Sequence, residues 1–507
     1  MPSNNIKPDK YIGNWFVSSI GQLLSGHLLI DKINFSQTLI LYSKVDFDGI
    51  SFLDGKPNLQ SYSTICGNCS RNNKITLFDC SFAGASPISE DLYEYKFIPS
   101  FSLQGADFIY RDQTKFSELT CKFPYFRSWF DFERNFFGSN DHVYDSENCP
   151  KNDYRNELLE NVKPSLNQEE LSNEIKIDDD FSIVIVRYYH DDIWSLKNEA
   201  KIEINHFVIF KSLSGKTFDD LKKIAFNFMQ LMQLSTGKLI YTNFLSAISK
   251  KDDLNIISEN ISSSQENNHI IITNYNNINE RNFIKSDDTD ARHMLFYGGY
   301  DRSIKLKNII KNWYKTIDKY SPIYNIFLDT FEWFQNTDAI LTHIMFHNRF
   351  VNLVQAIERY HKFSYPEMEY ENKEDIEAKK KEILEQISNL ENRKWLSDSI
   401  KRRHISLQRR IEFILDQKLK EISSILFTTK ENMESQVSEI IKLRNKLSHG
   451  ERIEKESSVI IDYYRKTLII LLSCILLNLG LSYTEIKDAI LHTEKYSDML
   501  RYIKSKS

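Results

Sequence analysis

The hydrophobic pattern changes period once along the chain, between residues 290 and 300, and that change constrains the fold more than any other feature. Before it, short runs of β-branched and aromatic residues at 28–33, 37–42, 74–82, 107–110 and 119–123 sit between Gly, Asp, Asn and Ser turns, and 181–189, 201–211 and 270–273 repeat the pattern. One amphipathic helix is expected at 218–234. After it, apolar residues recur at helical spacing to residue 506, in segments 304–320, 323–337, 339–360, 375–392, 402–419, 435–449, 457–479 and 484–506, the last capped by Thr484. Gly298 and Gly299 fit the boundary. A chain of 507 residues is too long for one core. The expected class is therefore α+β and multidomain: a β-rich, sandwich-like or barrel-like N-terminal domain over 1–295, divisible into 1–140 and 180–295, then an all-α helical bundle over 296–507.

Polar stretches at 138–180 and 251–290 read as a linker and a variable loop. The longest apolar run, 468–479, would span about 18 Å as a helix against a bilayer core of about 30 Å, so it reads as a buried helix and no membrane partner is expected. The first residues carry no apolar stretch of the secretory kind. Six cysteines, at 66, 69, 80, 121, 149 and 474, are too sparse for a disulfide framework, and a cytoplasmic location is expected. Cys66 and Cys69 form a lone CxxC, which reads as half a metal site or as a turn on Gly67-Asn68; with no second pair, neither a metal nor a cofactor is expected. The net charge of −5 is divided: residues 301–507 hold 35 Lys and Arg against 30 Asp and Glu, which leaves 30 against 40 for 1–300. The C-terminal half is the better host for a polyanion.

The chemistry concentrates near the end of that half. Val437, Ile440, Ile441, Leu443 and Leu447 make an amphipathic helix that Gly450 would stop. Arg444 projects into its apolar stripe, about 40° from Ile440, where a guanidinium needs a carboxylate, a phosphate or a second polypeptide. His449 is about 140° away on an ideal helix, so the two share a face only if the helix ends between them or two copies meet at a two-fold axis. Arg444, Asn445 and His449 suit metal-free RNA cleavage: imidazole moves protons near neutral pH, the planar guanidinium binds two phosphate oxygens, and the amide orients either. An ordinary helix end, with basic residues favoured by its dipole, is the alternative.

Arg444-Asn445-Lys446-Leu447-Ser448-His449 resembles the R-x(4-6)-H motif of HEPN domains, helical-bundle ribonucleases and nucleic-acid binders. Gly13-Asn14-Trp15-Phe16, Ser25 to Ile30 and Ile75 to Cys80 resemble the N-terminal domain of ApeA-type proteins, and Phe350 to His361 is similar to the helix that opens their HEPN part. The resemblance implies an abortive-infection endoribonuclease with an N-terminal sensing or regulatory domain, a homodimer through the HEPN domain, a tRNA or other structured RNA as substrate, and a phage-derived protein as trigger. A catalytically silent RNA-binding or nucleotide-binding protein, or a dimerising protein whose β domain recognises a ligand, is the alternative function.

Several residues carry weaker signals. Lys401, Arg402, Arg403 and His404, with Arg409 and Arg410, form the densest basic cluster, and Arg402 and Arg403 are the candidate substrate-binding residues; a solvated helix face explains them equally well. Glu358 and His361, one turn apart, are candidate partners of Arg444 or ordinary helix-end residues. The aromatic run 123–137, interleaved with Arg127 and Arg134, reads as core before it reads as a base-stacking platform.

Overall fold

A computed structural model describes residues 8–17, 21–31, 36–44, 52–53, 56–57, 61–70, 73–89, 91–105, 115–130, 173–191, 202–238, 240, 242–249, 268–273, 293–297, 303–333, 339–368, 373–399, 405–451 and 457–505. Chain contacts divide it into two units: residues 1–128, 133–229 and 240–289, and residues 129–132, 230–239 and 290–507.

The first unit is built on antiparallel strands. β1 (Asp9–Val17), β2 (Gln22–Asp31), β3 (Ser36–Ser43), the short pair β4 (Phe52–Leu53) and β5 (Lys56–Pro57), β6 (Ser61–Cys69), β7 (Asn73–Ser89) and β8 (Leu92–Ile98) come first. Pairing runs from β7 through β6, β1, β2, β3 and β8, and β8 returns to β7, which closes six strands into a barrel. Alternate residues point inward, as the period of a strand requires: Trp15 and Val17, Leu24, Leu28 and Ile30, Leu39 and Leu41, Ile65 and Cys69, Tyr95 and Phe97. On β7 the inward set is Ile75 and Leu77, then Cys80 and Phe82; Asp79, between them, has a φ of 51°, in the left-handed region. Closure removes the free edges that an open sheet would expose.

The first half of β7 also pairs with β9 (Phe101–Gln104), which continues the sheet through β15 (Asn268–Thr273), β14 (Asn243–Ser249), β10 (Lys115–Lys122), β13 (Ile202–Thr217), β12 (Phe181–Asp191) and β11 (Asn173–Lys176). β11 falls in the stretch expected to be a linker: its one buried apolar residue, Ile175, is held by pairing with Ile183 on β12. Helix α2 (Phe218–Thr236) follows the short α1 (Phe126–Trp129) in the chain; its buried Phe218 and Phe228 lie among Phe101, Phe116, Phe123, Phe210 and Phe244. Phe123, Tyr125, Phe126, Trp129 and Phe130 are buried, so this part of the aromatic run is core; its remainder lies outside the described residues, as does the expected strand at 107–110.

The second unit is helical from Ser303: α3 (Ser303–Trp333), α4 (Ala339–Ser364), α5 (Lys373–Glu385), α6 (Leu390–Ser399), α7 (Leu407–Phe413) running into a π-helical turn (Ile414–Lys418), α8 (Lys420–Leu426), α9 (Lys430–Ser448), α10 (Ser457–Asn478), α11 (Tyr483–His492) and α12 (Glu494–Ser505). α4 is central, packing against α3, α7, α9 and α10. α10 is buried almost all round from Thr467 to Leu476, and no helix of the described residues is long and apolar enough to cross a membrane.

The helices differ from expectation in several places: α8 falls between the expected segments, α9 starts at Lys430 and not at 435, and three further boundaries have a clear cause. A break at Pro322 does not occur; Trp313, Ile317, Tyr320, Ile323, Tyr324 and Phe327 form one buried stripe on both sides of it, and that packing carries α3 through. The expected helix at 375–392 is two, because Asn389 accepts the amide hydrogens of Glu391 (2.9 Å) and Asn392 (3.1 Å) and starts α6 anew. The C-terminal helix is also two, and its N-cap is Ser482, not Thr484: Glu485 Oε2 accepts the Ser482 N–H at 2.8 Å.

Candidate active site

Helix α9 begins at Thr429, whose hydroxyl accepts the Asn432 N–H at 3.1 Å. Met433, Val437, Ile440 and Leu443 bury one face, and α9 packs on α4 and α7. Its end is a Schellman motif: Glu451 N–H donates to the Lys446 carbonyl (2.9 Å), Gly450 N–H donates to that of Leu447 (3.2 Å), and Gly450 adopts φ +68°. His449 is therefore the C-cap residue, at φ −94° and ψ 3°, outside the helical turn that carries Arg444. The helix ends between the two, and no hydrogen bond joins the Arg444 and His449 side chains among the described residues.

Arg444 follows the buried stripe by one turn and is half-buried. Its Nε is buried with no hydrogen-bond partner, while Nη1 donates to Asn445 Oδ1 at 3.0 Å. An unpaired guanidinium donor out of water is costly, so this side chain is set to receive an acceptor. The Arg444 carbonyl accepts the Ser448 hydroxyl at 2.8 Å, and the Asn445 carbonyl accepts the His449 N–H at 3.1 Å, which ties the motif's backbone together. The Asn445 and His449 side chains are exposed. Lys442, on the same turn, pairs with Glu439 at 2.9 Å.

The other candidates separate. Arg402 and Arg403 lie outside the described residues. Arg409 is exposed, but Arg410 is 1% exposed and cannot serve a surface phosphate track: its Nε donates to the Ile405 carbonyl (3.1 Å) and its Nη1 lies 3.0 Å from His361 Nδ1. Neither Glu358 nor His361 is bonded to Arg444. Glu358 pairs with Lys362 at 2.8 Å, and His361, fully buried on α4, faces Arg410 and the rings of Tyr365 and Phe413. Burial, and then the adjacent Arg410 charge, depress the His361 pKa to about 4 against the opposing pull of Glu367. The bundle thus holds a bonded Arg–His pair away from α9's end, neutral at its imidazole and closed to a polymeric substrate. Sequence reasoning missed the pairing because its members stand 49 residues apart; an arginine and a histidine each at a core-facing helix position were the available signal.

Cys66 and Cys69 do not sit on a turn. Both lie in β6, paired across to Phe16 and Gly13 of β1. Residues three apart on a strand point to opposite faces, so the two thiols do not converge. Among the described residues, no cluster of three His, Cys, Asp or Glu could hold a metal ion.

A model of the ApeA N-terminal domain 1 matches residues 10–313, and a model of the Apea-like HEPN domain matches residues 351–485, a span that includes α9 and its C-cap. No curated protein and no solved structure matches the chain. With more than half of its length covered by the first model and part of its helical bundle, residues 351–485, by the second, the chain belongs to the ApeA family and carries an Apea-like HEPN domain.

Proposed function

We propose that the chain is a metal-independent endoribonuclease that acts in anti-phage defence by abortive infection. The observation that carries this reading is the end of α9: a half-buried arginine with an unpaired Nε, an asparagine hydrogen-bonded to it and an exposed cap histidine, all within an Apea-like HEPN domain. In the reaction, a neutral imidazole takes the proton of a ribose 2′-hydroxyl as the 2′-oxygen attacks the adjacent phosphorus. An imidazolium gives a proton to the departing 5′-oxygen, leaving a 2′,3′-cyclic phosphate and a 5′-hydroxyl. Arg444 binds the phosphate oxygens and stabilises the charge that builds there, and Asn445 holds the guanidinium plane.

One His449 cannot be base and acid in the same step. A homodimer through the HEPN domain supplies the second imidazole, and this is the oligomer we propose. The substrate is a tRNA or other structured RNA in the cytoplasm, and a phage-derived protein acting through the β-rich domain releases the activity. The test is denaturing-gel analysis of cellular RNA after induction of wild type and His449→Ala, with and without phage infection. Discrete fragments with cyclic-phosphate ends from wild type alone support the reading. RNA that stays intact in both, infected or not, sinks it in favour of a silent RNA-binding or interaction protein.

A further inference from the structure

The first half of α3 presents a lysine-rich face, four lysines against one carboxylate, Asp318. Projected at about 100° per residue, Leu306, Ile310, Trp313 and Ile317 fall within about 40° of one line, and all four are buried. Lys307, Lys311, Lys315 and Lys319, at four-residue intervals, lie between about 100° and 220° from that line, on the side turned away from the core. Successive members are separated by a rise of about 6 Å. Asp318 is the only carboxylate from Ser303 to Tyr320; the next acidic residues, Asp329 and Glu332, come after Pro322.

Other helices of this unit neutralise their charges locally. α9 pairs Lys442 with Glu439, α12 pairs Arg501 with Asp498, and α5 pairs Lys381 with Glu385. On α3, Lys305 is taken by Glu485 and Lys319 donates to the Phe363 carbonyl at 2.7 Å. Lys311 and Lys315, at the centre of the face, have no ion pair or hydrogen bond among the described residues. With only Asp318 to offset it, this excess of like charge on one helix face repels itself and is retained at a cost unless an opposite charge meets it.

We infer that this face of α3 binds the phosphate backbone of RNA, through Lys311 and Lys315 with Lys307 and Lys319 flanking them. The ligand is a linear polyanion because the lysines form a line and not a cluster. It is read without regard to base sequence, since ammonium groups are point charges and no aromatic side chain interrupts the row. The inference rests on the ribonuclease reading for its choice of polyanion, and it adds a docking surface on a helix separate from the one that carries Arg444 and His449.

The test measures binding of the full chain carrying His449→Ala, so that RNA stays intact, to a labelled single-stranded RNA across a salt series. Lys311→Gln with Lys315→Gln should weaken binding roughly tenfold and lower the slope of log K against log salt by about 1.4, from about 0.7 per lost phosphate contact. Lys311→Arg with Lys315→Arg should retain both, and Lys379→Gln with Lys381→Gln on α5 should change neither. An unchanged affinity and slope in the glutamine variant, an equal loss from the α5 pair, or no RNA binding by the parent overturns the inference. So does binding to phosphatidylserine vesicles that the glutamine variant loses while its RNA binding is intact, which would assign the face to a membrane surface. Cleavage by wild type is scored separately, so the ribonuclease reading can stand while the α3 surface falls, or the reverse.

Discussion

Arg410 and His361 meet in the core of the helical unit, Nη1 to Nδ1 at 3.0 Å, with 1% and 0% of their surfaces exposed. The pair ties α7 to α4, and both helices pack against α9. A buried guanidinium beside an imidazole is compatible with folding only while the imidazole is neutral. Above pH 6.5 the ring is neutral in both folded and unfolded chains, and stability is independent of it. Between pH 6.5 and about 4 the unfolded chain takes up a proton that the fold refuses, so stability falls as pH falls, by roughly 3 kcal/mol in full. His361→Gln keeps an acceptor for Arg410 and removes the proton. The wild-type minus variant difference in urea midpoint should be flat above pH 6.5 and drop below it; a difference independent of pH down to 4 would contradict the assignment.

Arg444 and Arg410 differ in how far their settings could be read from the chain. Arg444 announces itself because its neighbours Val437, Ile440 and Leu443 define a stripe that a charge should not enter, and Gly450 marks where the helix stops; both are local facts. The partner of Arg410 depends on which helix faces α7, which no local pattern encodes. The same limit explains the CxxC. Gly67-Asn68 is a good turn pair in isolation, yet the pairing of Trp15 with Gly67 extends β6 through it. At Pro322, local preference for a break lost to a buried stripe running through both halves of α3. The sheet was legible as alternating strands but its choice of a closed barrel over a sandwich was not, since closure rests on β7 being long enough to pair with both β6 and β8.

Removing His449 or Arg444 should separate catalysis from stability. His449 is exposed, and Arg444 makes a single side-chain hydrogen bond to its neighbour, so alanine at either position should leave the melting temperature nearly unchanged. RNA cleavage should fall by about 10²–10⁴ for His449→Ala. Arg444→Lys should not rescue Arg444→Ala, because an ammonium lacks the fork that binds two phosphate oxygens. Cleavage should also survive EDTA. A chelator that stops it, or an alanine variant that cuts at the wild-type rate, would refute the proposed chemistry.

Gly450 fixes where His449 sits, through a backbone conformation rather than a contact. A Cβ there would meet nothing within 4 Å, but φ +68° is the left-handed region. Gly450→Ala should therefore cost about 1 kcal/mol, and Gly450→Val more, while Gly450→Asn should cost less because asparagine tolerates this conformation. Thermal melts rank the three. Since the strain acts on the cap, cleavage should fall in the same order; equal activity across the series would mean that the cap geometry does not set the histidine.

Gly67 presents the opposite case, an ordinary backbone with no room. In the barrel it lies directly across from Trp15, and a Cβ at this position would stand 2.4 Å from the indole ring. Trp15 is fully buried among Leu28, Leu39, Ile65 and Leu77, so the ring cannot swing away without opening the interior. Gly67→Ala should destabilise the β-rich unit by about 1–3 kcal/mol, the usual cost of overpacking. The smaller ring of Trp15→Phe should recover part of that loss, so the double variant should be more stable than the sum of the two single losses predicts. Hydrogen exchange at the amides of β1 and β6 reports the effect where it arises. Additive losses in the cycle would show that the glycine is required for a reason other than its contact with Trp15.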